Sequence, residues 1–242
     1  MIRLENVSKK YENNGQNSNY VLENLSLQFE DGEFTCILGK SGCGKSTLLN
    51  LIAGYIKADS GQIYANGESL SGPSKEIGVV FQEHALFPWN TVYENISFGP
   101  TINKAPDREE TVMKYLDLIG LTEYKDYYPS QLSGGMKQRV GIARAFANHP
   151  KTLLMDEPFS ALDPITRQSM RTELLKIWKE SNCTVIFITH DVSEAVYLAD
   201  KVVVLGDGSV KMTDTVNLER ERDIHSPEFI AYEKKYEEQI LS

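Results

Sequence analysis

The sequence predicts an α/β fold: a core with a mostly parallel sheet, an antiparallel β portion at the N-terminal end, and a helical subdomain inserted in the middle. Three observations predict it. Short apolar runs of strand length alternate with helical segments in the first and last thirds of the chain. Between them, Asp107 to Ala147 reads as helix after helix with no convincing strand. A glycine-rich turn also stands between a strand and a helix, the connection that parallel cores place at strand tips.

Length and composition agree. A chain of 242 residues suits one large domain, or a core with an inserted subdomain, and can bury its core without disulfide or metal staples. The balance of 41% hydrophobic and 24% charged residues is that of a soluble protein. The longest apolar runs, such as Val185–Ile188 and Val202–Leu205, fall far short of the roughly 18 residues that span a bilayer. No charged-then-apolar N-terminus resembles a signal peptide. The chain is therefore expected to reach a membrane only through a partner. A net charge of −9 argues against wrapping nucleic acid. Cys36, Cys43 and Cys183 cannot all pair and show no metal-ligand spacing, so they read as free thiols.

In order along the chain, Ile2–Val7 and Tyr20–Phe29 read as alternating strands separated by a polar surface loop over Glu12–Asn19. Phe34–Leu38 is a short buried strand. A helix follows from Lys45 to about Ala53, then strands at Gln62–Ala65 and Ile77–Phe81. Asp107 with Glu110 reads as a capping box, opening a helix whose apolar face is Val112, Tyr115, Leu116 and Ile119, and Gly120 ends it. Thr152–Met155 is a strand, and Asp163-Pro164 caps a helix reaching about Ser181. Strands at Thr184–Ile188 and Lys201–Leu205 flank a helix capped by Asp191 with Glu194. In the tail, Ser226 and Pro227 open a helix carrying Phe229, Tyr232, Tyr236 and Ile240 on one face, read as packing on its own core.

The chemistry lies in three motifs. Gly39-Lys40-Ser41-Gly42-Cys43-Gly44-Lys45-Ser46-Thr47 matches the phosphate loop G-x-x-x-x-G-K-[ST], in the strand–turn–helix context the motif requires. Its glycines let backbone N–H groups turn inward on phosphates where a Cβ would clash, and the helix N-terminus adds its dipole. Lys45 brings a point charge to the phosphates, and the Ser46 hydroxyl is placed for Mg²⁺. In Leu153-Leu-Met-Asp156-Glu157 an apolar strand ends in two carboxylates, which fits Asp156 holding Mg²⁺ and Glu157 polarising water. Ser133-Gly134-Gly135 opens a helix as a second anion-binding site. Read alone it is a turn and cap.

Together the three motifs resemble an ABC ATPase with a P-loop NTPase core, Leu132-Ser133-Gly134-Gly135-Met-Lys-Gln138-Arg139 matching the signature sequence. The resemblance covers about residues 2–210 and implies further roles. Gln82 looks like the Q-loop glutamine, which contacts Mg²⁺ and the attacking water. Asp163, in Ser160-Ala-Leu-Asp163, looks like the D-loop, and His190 like the switch histidine that contacts the γ-phosphate. Tyr11 stands where the family stacks an aromatic ring on adenine. ATP and Mg²⁺ are the implied cofactors, with Glu157, His190, Gln82 and Lys45 as catalytic groups. Phosphate loop and signature loop lie in different subdomains, so one γ-phosphate cannot readily satisfy both within one core. The expectation is a homodimer, or pairing with a similar ATPase subunit, in which Ser133, Gly134, Gly135 and Asp163 come from the partner chain.

The absence of membrane helices resembles the importer style. Phe81-Gln-Glu-His-Ala-Leu-Phe87-Pro88-Trp89-Asn-Thr-Val and Val216-Asn-Leu-Glu-Arg-Glu-Arg-Asp resemble the branch that imports nitrate, sulfonate, taurine or pyrimidine-type precursors. That resemblance implies separate transmembrane permease subunits docking near Gln82–Trp89, an indirect solute-binding protein, and a peripheral place on the cytoplasmic face of the cell membrane. The alternative is a soluble ABC ATPase acting on nucleic acid or ribosomes. The expected division is 1–82 for the N-terminal β portion and phosphate-loop half, 83–149 for the helical subdomain, 150–215 for the second half of the core, and 216–242 for the tail.

Overall fold

The computed structural model of the chain describes residues 1–13, 16–82 and 85–241, with side chains described for all of these except 12, 13 and 16–18. In chain order its elements are β1 (Ile2–Asn13), β2 (Gln16–Phe29), β3 (Phe34–Leu38), α1 (Lys45–Ile52), β4 (Ser60–Ala65), β5 (Glu68–Ser69), β6 (Ile77–Val80), α2 (Val92–Ile102) and α3 (Arg108–Leu118). There follow α4 (Gly134–Phe146), β7 (Thr152–Asp156), α5 (Pro164–Lys179), β8 (Thr184–Ile188), α6 (Val192–Leu198), β9 (Lys201–Gly206), β10 (Ser209–Thr215) and α7 (Pro227–Leu241). They form two compact units, Met1–Ile77 with Thr184–Ser242, and Gly78–Cys183.

The first unit holds an antiparallel sheet in the order β2-β1-β4-β5. Its β1–β2 ladder runs from Ile2 opposite Phe29 to Asn13 opposite Gln16. The polar stretch 12–19, expected as a surface loop, is therefore largely strand; Asn14 and Gly15 lie outside the described residues. Buried Leu4, Val7, Leu22, Leu25 and Leu27 set the register, and the ladder then extends through main-chain bonds that do not depend on side-chain polarity. In the same unit β10, β9, β3 and β8 are successive neighbours. β3 runs parallel to both β8 and β9, and every residue of β3 and β8 is buried, as in the centre of a parallel sheet. β10 pairs antiparallel with β9 through Asp207 and Gly208, both at positive φ. It is polar and only partly buried, so its pattern gave no strand; the Asp-Gly pair was its one signal.

The second unit pairs β6 with β7 and carries α2 to α5. The capping box expected at Asp107 does not form. Asp107 lies at φ −96 and ψ 18, outside the extended region a capping residue uses, and its carboxylate accepts the Thr111 hydroxyl at 3.2 Å instead. The box is found at Thr91 and Glu94, where Thr91 N–H donates to Glu94 Oε2 at 2.7 Å and Glu94 N–H donates to Thr91 Oγ1 at 3.2 Å. It opens α2, a helix the sequence reading did not mark. Gly120, at φ +64, follows α3 as expected.

Candidate functional site

In the first unit the register of β3 on β8, with Ile37 opposite Ile188, releases two loops at the same end of two parallel strands: Gly39–Gly44 and Thr189–Asp191. Thr189 N–H donates to Ile37 O at 3.2 Å across them. The first loop wraps the N-terminus of α1, whose Leu48, Leu49, Leu51 and Ile52 are buried and fix its axis. Gly44, the residue before the helix, sits at φ +104, and a Cβ there would meet Leu22 Cδ2 at 2.8 Å and Val21 O at 2.9 Å. Only glycine fits. Lys45 is 6% exposed, and its ammonium donates to Gly39 O at 2.7 Å and Lys40 O at 3.0 Å, inside the loop. Lys40, Ser41, Gly42 and Ser46 are exposed; Cys43 and Thr47 are half-buried. Burial pushes the other two thiols up, Cys36 well above its usual range and Cys183 to about 12.

His190 is exposed at the end of β8 in a turn held on both sides. Buried Thr189 donates its hydroxyl to buried Glu194 at 2.6 Å and accepts from Asp191 N–H at 3.0 Å. Asp191 accepts from Glu194 N–H at 3.1 Å, as the sequence predicts. Tyr11, on β1, is 46% exposed, with the Lys9 ammonium 5.8 Å from its ring centre. A cavity of about 460 Å³ lies between His190–Ser193 and the α7 residues Glu233, Glu237, Ile240 and Leu241. Phe229 and Tyr236 are fully buried, which agrees with a tail helix packed on its own core.

In the second unit Asp156 ends β7, half-buried, and Glu157 follows at φ +44. That left-handed conformation costs a non-glycine residue about 1–2 kcal/mol. A turn fixes it: Glu157 O accepts the Ser160 N–H at 3.2 Å and the Ser160 hydroxyl at 3.0 Å. Gln82, two residues beyond the neighbouring strand β6, is exposed. Ser133 caps α4, accepting from Met136 N–H at 3.3 Å, with Ser133 and Gly134 exposed. Gly135 packs so tightly that a Cβ would approach Thr166 Cγ2 to 2.7 Å. Asp163 caps α5, and hydrogen bonds from Thr166, then Ile165, hold its carboxyl below the usual range.

The unit also carries an apolar groove of about 330 Å³, lined by Phe81, Ala85, Phe87, Phe98 and Arg144 among others. Phe87 packs on Phe98 with ring centres 4.5 Å apart, Arg144 lies 5.4 Å over the Phe87 ring, and Trp89 is 71% exposed. Fully buried Asn95 knots this loop, donating to Phe87 O, Asn90 O and Thr91 O and accepting from Phe87 N–H. Sequence reasoning missed Asn95, Phe98 and Arg144. Glu83 and His84, within the expected docking stretch, lie outside the described residues.

The first unit thus brings together the phosphate loop and His190, with Tyr11 on its other sheet. The second holds Asp156, Glu157, Gln82, Asp163 and the Ser133–Gly135 helix start. Ser46, Gln82 and Asp156 offer only oxygen donors, the set that suits Mg²⁺. Among the described residues no group of three His, Cys, Asp or Glu side chains could hold a metal.

A family profile described as ABC transporter matches residues 22–160. The chain is 45% identical over 224 residues to the nitrate import ATP-binding protein NrtD of Synechocystis, covering 87% of this chain and 84% of that protein. It is 44% identical over 206 residues to the taurine import ATP-binding protein TauB of Roseobacter denitrificans, covering 84% and 77%. Its fold is similar to the ATP-binding cassette MJ0796, solved as a dimer in a post-hydrolysis state with ADP and Pi. The TM-score is 0.77 and the identity 34%, over 90% of this chain and all of that one.

Proposed function

The chain belongs to the ABC transporter family, as an ATP-binding subunit and an ATPase coupled to transport, and from that premise we propose that it powers uptake of a small solute through separate permease subunits. One observation carries the reading. Lys45 is an ammonium buried to 6% exposure that donates to two neutral carbonyls of its own loop, Gly39 O and Lys40 O. Such a charge is poorly compensated until an anion joins it. A polyphosphate cradled by the N–H groups of Gly39–Gly44 and the first turn of α1 supplies that anion.

Each residue then takes one task. Tyr11 stacks on adenine, and Lys45 holds the β- and γ-phosphates. Ser46, Asp156 and Gln82 would hold Mg²⁺, which draws charge from the phosphate oxygens. Glu157 accepts the proton of a water whose oxygen bonds to the γ-phosphorus as the bond to the bridging oxygen breaks. His190 donates to the γ-phosphate. A second copy, or a similar ATPase subunit, contributes Ser133, Gly134, Gly135 and Asp163 across a two-fold interface. The groove at Phe81–Trp89 receives a short helix of a permease subunit, which keeps the chain at the cytoplasmic face. No helix among the described residues is long and apolar enough to cross the membrane itself.

The relatives' names favour import over action on nucleic acid, and nitrate and taurine are the two cargoes they name among the nitrate, sulfonate, taurine and pyrimidine-type precursors that the sequence suggests. The test is titration with ATP and Mg²⁺ beside phosphate release. Lys45→Ala should weaken binding by about ten- to a hundredfold, the worth of a charge-assisted hydrogen bond. Undiminished binding in that variant would overturn the reading.

A further inference from the structure

The stretch Val216–Asp223 has no task in the reading above, yet it contains a buried arginine that donates to four main-chain carbonyls. Arg222 is 7% exposed. Its Nη1 donates to Val196 O at 2.5 Å, Ala199 O at 2.7 Å and Tyr197 O at 3.3 Å, and its Nε and Nη2 donate to Leu218 O at 3.3 and 3.1 Å. Arg220 takes the one remaining carbonyl in that run, Leu198 O at 2.7 Å, and pairs with Asp200. Asp200 in turn accepts from Phe34 N–H at 2.9 Å, at the start of β3.

These carbonyls are the C-terminal end of α6, a helix of seven residues. A helix that short does not hold itself in water, and its last carbonyls have no partners within the helix. Its other end is the His190 turn, which Asp191, Thr189 and Glu194 lock to it. Burial of Ala195, Val196 and Leu198 resists lifting of the helix from the core but fixes its position along its own axis only weakly. Directional bonds fix that position. The tail arginines grip one end of α6 and join it, through Asp200, to the strand that leads into the phosphate loop.

We propose that Arg222 is a positioning residue for ATP hydrolysis: by clamping the end of α6 it sets where His190 stands beside the phosphate loop. This rests on the reading of His190 as the group that meets the γ-phosphate. Arg222 touches no substrate and acts through the helix alone.

Arg222→Met keeps the length and apolar contacts and removes every donor. It should lower kcat by about ten- to a hundredfold, as misplacement of a reacting group by about an ångström does. KM for ATP should stay within about twofold, because binding rests mainly on the phosphate loop. Arg222→Lys should recover part of the loss, since an ammonium reaches some of the same carbonyls. The decisive measurement is a double-mutant cycle with His190→Ala. If Arg222 acts through His190, the double variant is no slower than His190→Ala alone; a merely structural role makes the two losses multiply.

Unchanged kcat in Arg222→Met beside an inactive His190→Ala, or multiplying losses, overturns the inference and leaves the reading of the site intact. Full turnover in His190→Ala overturns that reading and the inference with it. Should Arg222→Met not fold, Arg220→Gln runs the same cycle, because it removes the Leu198 and Asp200 bonds from a less buried position. The same split between kcat and KM supports the clamp, and its absence overturns it.

Discussion

Tyr11 shows what a single residue can reveal before any ligand is seen. Its ring lies nearly half exposed on β1, with Lys9 close to it, so one aromatic face stands open to a base. Stacking of that kind is typically worth ~1–3 kcal/mol. Tyr11→Phe should leave nucleotide affinity nearly unchanged, whereas Tyr11→Ala should weaken it by about tenfold in a nucleotide titration. Equal affinity in the Ala variant would mean that adenine is held elsewhere. Residues of this sort were legible in the sequence because their type carries the chemistry: a lysine after glycines, paired acids at a strand end, a histidine beyond a buried strand. Asn95 and Arg222 were not. Their partners are main-chain carbonyls, which every residue owns, so no second residue type marks the interaction.

At the scale of elements, legibility followed burial. β3, β7, β8 and β9 are buried along nearly their whole length and stood out as apolar runs, while β10 is polar and did not. α2 contains Pro100, which argues against a helix, and its capping box at Thr91 and Glu94 was overlooked. Asp107 has the same spacing to Glu110 but the wrong backbone angles, which spacing alone cannot reveal. The loop before α2 supports a paired prediction. Trp89 is largely exposed, its one described ring contact being with Phe87 at 5.7 Å between centres, so Trp89→Ala should keep the melting temperature and basal ATPase of the isolated subunit nearly unchanged while losing assembly with permease subunits. Asn95→Ala strands buried carbonyls and should cost about 1–3 kcal/mol, lowering the melting temperature by several degrees. A destabilised Trp89→Ala, or one that still assembles and transports, counts against docking at this groove.

For the whole molecule, the two compact units divide the expected chemistry between them. Lys45, Ser46 and His190 belong to one; Asp156, Glu157, Gln82 and the Ser133–Gly135 start belong to the other. Glu157→Gln removes a base and keeps the shape and the phosphate contacts, so it should bind ATP, hydrolyse almost none, and elute from gel filtration as a dimer only when ATP is present. Hydrolysis at the normal rate would remove Glu157 from its assigned role. A monomer under every nucleotide condition would argue against the two-fold arrangement.

The parallel neighbours of β3 have a consequence for how each copy is made. Phe34–Leu38 leaves the ribosome early, but the strands that flank it, β8 and β9, are the last buried strands to be synthesised. Residues 78–183 are contiguous and can close their own contacts first, while the unit that frames the phosphate loop waits for its second half. At the usual pace of synthesis that wait is about 10–30 s. Throughout it the strand leading into the phosphate loop is apolar, unpaired and in need of shielding from its neighbours on the polysome. The Gly39–Gly44 turn, held between those strands, therefore takes its final shape only when the protein is nearly whole.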